Sequence, residues 1–252
     1  MAATAAGAQL TQAHRQAQLA LRADVLADLT RMWRLFDQGD IFATFERFAT
    51  AAEILIRRRH GDSAGLAAAY FDEFRRREGI GGVATARLST PPPREIVRES
   101  LAVAGRVGAA NALRAGQTPV AAARNGLVRV LGAATSLVLG GGRRTLVESV
   151  RADRQARGWQ RVTSGGACAF CSMVASRGPA FKSQTSAKFE AHDHCSCTAE
   201  PYYEGSAELA ANARLREAWE VAQRQAREAG ELSRGTTNDA LNAFRRSLTG
   251  GE

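Results

Sequence analysis

Hydrophobic residues recur along most of this chain at the three-to-four-residue spacing of an amphipathic helix, and that period governs the first reading. Leu19, Leu26 and Trp33, interleaved with Leu29 and Phe36, repeat at heptad spacing and predict one long helix over about residues 8 to 36. After the Gly39-Asp40 break, Ile41, Phe45, Phe48, Ala52 and Leu55 fall on one face of a second helix. Two apolar stripes joined by a short break predict an antiparallel helical hairpin. Leu66, Tyr70 and Phe74 form a third, shorter stripe that runs into Arg75-Arg76-Arg77 before Gly79, and Gly81 and Gly82 extend the interruption.

Thr90-Pro91-Pro92-Pro93 removes backbone donors and biases its neighbours away from helix, so residues 83–93 read as a linker. A new helix starts near Arg94, carries Val97, Leu101 and Ala104 inward and stops at about Gly116. Thr118 can cap a further helix whose first position is Pro119. Leu127, Val130, Leu131, Ala134 and Leu137 make that helix apolar over much of its circumference, which predicts a central element. Gly140-Gly141-Gly142 predicts its end, with a short basic helix, Arg143 to Arg157, beyond. Gly158 to Val162 reads as extended, because Trp159 and Val162 suit a strand. Leu215, Trp219, Ala222 and Ala226 mark another helix, and Leu241, Phe244 and Leu248 a last one, opened by Thr237 or Asn238. The expected fold is mostly α (α+β): an N-terminal helical hairpin over 1–82, the linker, a unit over 94–204 with a small loop-rich β module at 159–204, and a C-terminal helical tail over 205–252.

Composition sharpens this picture. At 252 residues and 45% hydrophobic, the chain can bury a real core, and with 6% aromatics its apolar share leans on alanine, which favours close-packed helices. The most apolar run, Val130 to Leu139, falls well short of the roughly 18 to 20 residues a bilayer span needs, so no membrane partner is expected. MAATAAGAQLTQAHRQ has neither a basic leader nor an apolar block, so synthesis in the cytoplasm is expected. Of 34 basic residues, 32 are arginine, a bias that first suggests a GC-rich genome. The net charge of +9 is uneven: residues 94–162 carry 12 basic and 4 acidic groups, while residues 1–93 sum to +2 and residues 163–252 to −1. Such a segment attracts polyanions by counterion release, so nucleic acid is a candidate partner, with a solvated arginine face as the plain alternative.

The chemistry concentrates at Cys168-Ala-Phe-Cys171 and His192-Asp193-His194-Cys195-Ser196-Cys197, which hold all four cysteines of the chain. Cys-x-x-Cys lets two thiolates face one cation, and His-x-x-Cys-x-Cys supplies further donors that suit tetrahedral zinc. The 20 residues between Cys171 and His192 make a plausible metal-closed loop. Six donors compete for four places: Cys168, Cys171, His192 and either Cys195 or Cys197 form the preferred shell, and all four cysteines with His192 behind them the next. Two disulfides, a thioredoxin-like pair or free buried thiols are the other readings.

Catalytic readings find less support. No His-x-Glu precedes Cys168 as in zinc deaminases. Asp193-His194 beside cysteines is similar to the Asp-His of ββα-metal nucleases, but those folds need a further His or Asn downstream, where only Asn212, Asn238 and Asn242 remain. His14 and His60 read as solvated surface residues. No nucleophile elbow or phosphate-binding loop occurs, so an enzyme is not expected.

Trp159-Gln-Arg-Val162, then Gly166-Ala-Cys168-Ala-Phe-Cys171-Ser-Met-Val-Ala-Ser176-Arg177-Gly178, then His192-Asp-His-Cys195-Ser-Cys197-Thr198, resembles the MuF-like head-morphogenesis domain of tailed-phage minor capsid proteins. The resemblance covers roughly residues 94–204 and carries over Cys168, Cys171, His192, Cys195 and Cys197 as the motif, with Trp159 and Arg177-Gly178 flanking it. Asp193 stands where relatives often have Pro, and His194 adds a donor. The resemblance implies a minor structural protein in the virion, at the capsid interior or portal vertex, with portal and capsid proteins as partners and no catalysis.

Overall fold

The computed structural model describes residues 2–34, 40–163, 166–181, 183, 188–231 and 237–249. Two long helices, α1 (Ala5–Arg34) and α2 (Ile41–Arg77), form the expected hairpin. An extended stretch leads to α3 (Arg94–Ala102), which runs through a π-turn at Val103–Val107 into α4 (Gly108–Arg114). α5 (Pro119–Ala152) follows, capped by Thr118, whose Oγ1 accepts from Ala121 N at 3.3 Å. Then come β1 (Gly158–Val162), α6 (Ala169–Ser176), β2 (Ala180–Phe181), β3 (Thr198–Tyr202), α7 (Ala210–Glu228) and α8 (Thr237–Thr249). The fold is mostly α with one small sheet, as the patterning predicts.

α5 is the axis on which α1 to α4 and the sheet assemble, and it departs from the predicted boundaries. It crosses Gly140-Gly141-Gly142 without a break, and the expected basic helix from Arg143 is its last part. Glycine costs a helix about 1 kcal/mol relative to alanine, but here the missing side chains admit the hairpin. A Cβ on Gly141 would collide with the His60 carbonyl, and Gly142 N donates to Ser63 Oγ at 3.0 Å. Ser63 Oγ in turn donates to Gln18 Oε1 at 2.8 Å, so α1, α2 and α5 meet on one hydrogen-bonded point.

The hairpin needs three corrections. α2 is one helix of 37 residues, so the third stripe is its continuation; Tyr70 and Phe74 are buried in it while Leu66 is exposed. The buried line of α1 is Leu21, Val25, Leu29 and Trp33, extended towards the N-terminus by Thr11, His14 and Gln18. Leu19 and Leu26 are half-buried, and Phe36 lies outside the described residues. His14 and His60, read as surface groups, are interior. His14 stacks on Tyr70 with ring centroids 4.4 Å apart and its Nε2 lies 3.2 Å from Thr198 Oγ1. His60 Nδ1 lies 2.8 Å from the Leu137 carbonyl.

Three cores result. Leu29, Trp33, Phe45, Phe48, Leu101, Val130 and Val138 fill the first, between α1, α2 and the α3–α5 helices. Tyr70, Phe71, Phe74, Leu146, Val150, Trp159 and Tyr203 join the far ends of α2 and α5 to the sheet. Ala169, Met173, Ala222 and Phe244 bind α6 to α7 and α8. Burying each large apolar side chain stabilises by roughly 1.5–3 kcal/mol. Residues 83–93 run along α5, where Arg87 N donates to Ser149 Oγ (2.8 Å) and Ser89 N to Thr145 Oγ1 (2.9 Å).

The sheet has order β2-β1-β3 and is antiparallel throughout, with Gly158 opposite Tyr202 and Val162 opposite Thr198. β1 is therefore central, and all five of its residues are buried, including Gln160 and Arg161. β3 begins one residue after Cys197, so the pairing of these strands places the second cysteine motif.

Candidate metal centre

The first motif sits at the start of α6. Cys168 has extended backbone angles (φ −67°, ψ 162°) and caps the helix, its sulfur accepting from Cys171 N at 3.5 Å. Cys171 is three residues on, so both sulfurs lie at the helix N-terminus, where free backbone N–H groups favour thiolate. The second motif turns at Asp193-His194, where His194 adopts φ 64°, and Cys195 N returns to the His192 carbonyl at 3.2 Å. That turn rests on α5 at Gly132. His194 N reaches the Gly132 carbonyl at 3.4 Å, and a Cβ on Gly132 would lie 2.6 Å from His194 Nε2.

The turn brings the two motifs together. His192 Nε2 is 2.6 Å from Cys168 Sγ and 3.6 Å from Cys171 Sγ, while Cys171 Sγ is 3.4 Å from Cys195 Sγ. Two triads result, Cys168–Cys171–His192 and Cys171–Cys195–Cys197, with all ligand atoms of each within 4.8 Å of one another. Cys171 belongs to both. Sulfurs held tetrahedrally at the ~2.3 Å of a zinc–thiolate bond stand about 3.8 Å apart, near the 3.4 Å between Cys171 and Cys195, whereas the 2.6 Å between His192 and Cys168 is a hydrogen-bond distance that zinc would widen. All four cysteines are free thiols. The structure thus gathers five of the six candidate donors and leaves out His194, which is exposed and turned to Gly132.

Hydrogen bonding selects the ligand atom of His192. Its Nδ1 lies 2.6 Å from the Asp193 carbonyl, which can only accept, so Nδ1 carries a proton and Nε2 is the ring atom that faces the thiols. Burial opposes ionisation of Cys168, but the Cys171 N–H and His192 outweigh it and bring that thiol down. Hydrogen bonds from Cys171 and Cys197 hold the Cys195 thiol far below its usual range, and the same proton sharing drives Cys171 up.

Two arginines enclose it. Arg143, on α5, is 4% exposed and donates from Nε to the Cys197 carbonyl (3.0 Å) and from Nη2 to the Cys195 carbonyl (2.6 Å). Arg161, on β1, is 1% exposed, donates from Nη2 to the Glu190 carbonyl (2.5 Å) and places Nη1 3.9 Å from Cys171 Sγ. Phe189 lies between these groups, its ring centroid 4.0 Å from the Arg161 guanidinium carbon, 5.2 Å from that of Arg143 and 5.1 Å from the Trp159 ring. Sequence reasoning counted both arginines in the basic middle and singled out neither. Trp159 and Val162 marked the strand that carries Arg161 but not its burial on both faces, and nothing local marked Arg143.

The other ten basic residues of the 94–162 segment are exposed. Arg94 pairs with Glu53, Arg98 and Arg106 with Glu46, and Arg157 with Glu204, so part of that charge is answered within the chain. The asparagines of the nuclease reading are elsewhere engaged: Asn212 is fully buried and donates to the Arg161 carbonyl at 3.0 Å, and Asn242 accepts from Arg245 at 2.6 Å. The side chain of Asn238 lies outside the described residues. No helix among the described residues is long and apolar enough to cross a membrane.

Among curated proteins and among solved structures, nothing matches this chain. A family model described as VG15 protein matches residues 6–229, from the hairpin to the end of α7 and across the whole cysteine cluster. The chain therefore belongs to the VG15 protein family, a phage gene family.

Proposed function

We propose that this protein is a minor structural component of a tailed-phage head, acting in head morphogenesis at the capsid interior or portal vertex and stapled by a structural zinc ion. Membership of a phage family over residues 6–229 carries the reading, and the order of motifs shared with MuF-like minor capsid proteins supports its finer part. Portal and capsid proteins are the partners this role requires. The exposed arginines of α3, α4 and α5 suit packaged double-stranded DNA, through phosphate contacts that read no sequence.

Cys168, Cys171, His192 and Cys195 would hold the ion. Cys195 is preferred over Cys197 because it lies 3.4 Å from Cys171 and acts electrostatically on His192. Four protein donors leave no open coordination position, so the ion would supply structure rather than Lewis-acid chemistry. It would couple ligand binding to folding of the segment that joins α6 to β3.

Mass spectrometry of purified virions tests the role: peptides of this chain at a few copies per particle are expected, and their absence refutes a place in the head. Elemental analysis of the purified chain tests the ion, with about one zinc per chain expected for a single four-donor site.

A further inference from the structure

We infer that Arg143 and Arg161 are the built-in countercharge of the metal centre, and that the basic middle segment contributes them inward to the thiolates rather than outward to nucleic acid. The inference rests on the zinc reading above. Two guanidinium groups at 4% and 1% exposure carry two positive charges into the interior. Among the described residues neither forms an ion pair with a carboxylate; their hydrogen bonds run to the carbonyls of Cys195, Cys197 and Glu190. A buried cation left with dipoles alone is costly, so an anion close by stabilises it. The anionic groups within reach are the thiols: Cys171 Sγ lies 3.9 Å from Arg161, and Arg143 grips the peptide that carries Cys195 and Cys197.

The charges then balance. A divalent ion with four thiolates in and beside its shell carries a net charge of −2, matched by two arginines. With three thiolates and His192, the charge is −1, still opposite in sign to the two arginines. The same arrangement ties the centre to the core from two sides, because Arg143 belongs to α5 and Arg161 to the central strand. Phe189 lies against both guanidinium groups and restricts water around them, which strengthens the attraction.

The test measures zinc affinity by competition with a chromophoric chelator, on the full chain, for Arg143→Met, Arg161→Met, Arg143→Lys, Arg161→Lys and the exposed control Arg144→Met. Circular dichroism of metal-free and zinc-loaded protein runs alongside, and cobalt(II) absorption reports the donor set. Countercharge predicts that each methionine variant binds zinc about 10- to 100-fold more weakly, that each lysine variant stays within about threefold of wild type because it keeps the charge, and that the control is unchanged. Equal zinc affinity in wild type and the methionine variants, with stability lowered alike in metal-free and loaded protein, would show a packing role and overturn the inference. Lysine variants as weak as the methionine variants would show that the planar fork, not the charge, matters, and would overturn it too. Where a methionine variant fails to fold, the lysine variants decide. Wild-type protein without zinc affinity removes the zinc reading itself, an outcome distinct from wild type that binds with variants that bind equally well.

Discussion

Cys171 and Cys195 place their sulfur atoms 3.4 Å apart, although 24 positions separate them in the chain. Cys171 is also the member common to both donor triads, so it is the hub of the cluster. Cys171→Ser is expected to reduce bound zinc from about one per chain to under about a tenth, since a three-donor site loses most of the folding-coupled binding energy. Cys197→Ser should retain most of it. Elemental analysis reads the ratio, and limited proteolysis should find residues 159–204 newly cleaved in Cys171→Ser while α1 and α2 stay protected. Equal zinc content in the two variants would contradict the hub.

His14 gives the protein a calculable acid limb. Burial lowers its pKa from 6.5 to about 4, so between those values the unfolded chain binds more protons than the folded one. Its contribution is fully present above pH 6.5 and is lost as pH falls to about 4, to a total on the order of 3 kcal/mol. His60 shifts in the same direction, also by burial, and Glu200, whose pKa burial raises, opposes both. Denaturant unfolding of wild type and His14→Phe across pH 4 to 7 isolates the His14 part, since the thiol ligands are common to both. A limb equally steep in the variant would refute the assignment.

The glycine triplet of α5 offers a paired test. Gly141→Ala should destabilise by about 2–4 kcal/mol, because the new methyl meets the backbone carbonyl of His60, which cannot rotate away. Gly140→Ala meets only the end of the Arg144 side chain, at 3.3 Å, and should be neutral or stabilising by up to about 1 kcal/mol through helix propensity. Thermal unfolding of the two variants separates them.

DNA binding through exposed arginines must weaken with salt. Four phosphate contacts give a slope of about −3.6 in log affinity against log salt, or roughly 100-fold between 50 and 200 mM. Filter binding to unrelated duplexes should show that slope and little sequence preference, and Arg124→Glu with Arg144→Glu should flatten it. A flat salt response in wild type would assign this surface to protein contacts or solvent.

Plasmid incubated with the purified chain and magnesium or manganese should stay intact, because His194 is held against Gly132 and Asn212 is buried at Arg161. Cleavage that disappears in His194→Ala would overturn the structural reading in favour of a metal-dependent nuclease.

Much of this was legible from residue spacing. Periodicity located most helices, Thr118-Pro119 marked the start of α5 in the sequence itself, and Trp159 with Val162 pointed to β1. The five donors of the cluster were visible as motifs. What failed were inferences that depend on neighbours. Glycines read as a stop because propensity is local, whereas Gly141 and Gly142 are stabilised by helices distant in sequence. His14 and His60 read as surface groups because polar residues on a helix are usually wet, and only Tyr70, Thr198, Leu137 and Ser89 show otherwise.

By itself, the amino-acid sequence determined the helical period, the strand at Trp159 and the presence of a soft-donor set, because each rests on residue types a few positions apart. Tertiary structure alone decided that His194 stands outside the donors, that Cys171 joins two triads, and that Arg143 and Arg161 face sulfur. Those outcomes depend on where β3 pairs with β1 and on how closely the Asp193-His194 turn can approach α5, distances that no spacing along the chain encodes.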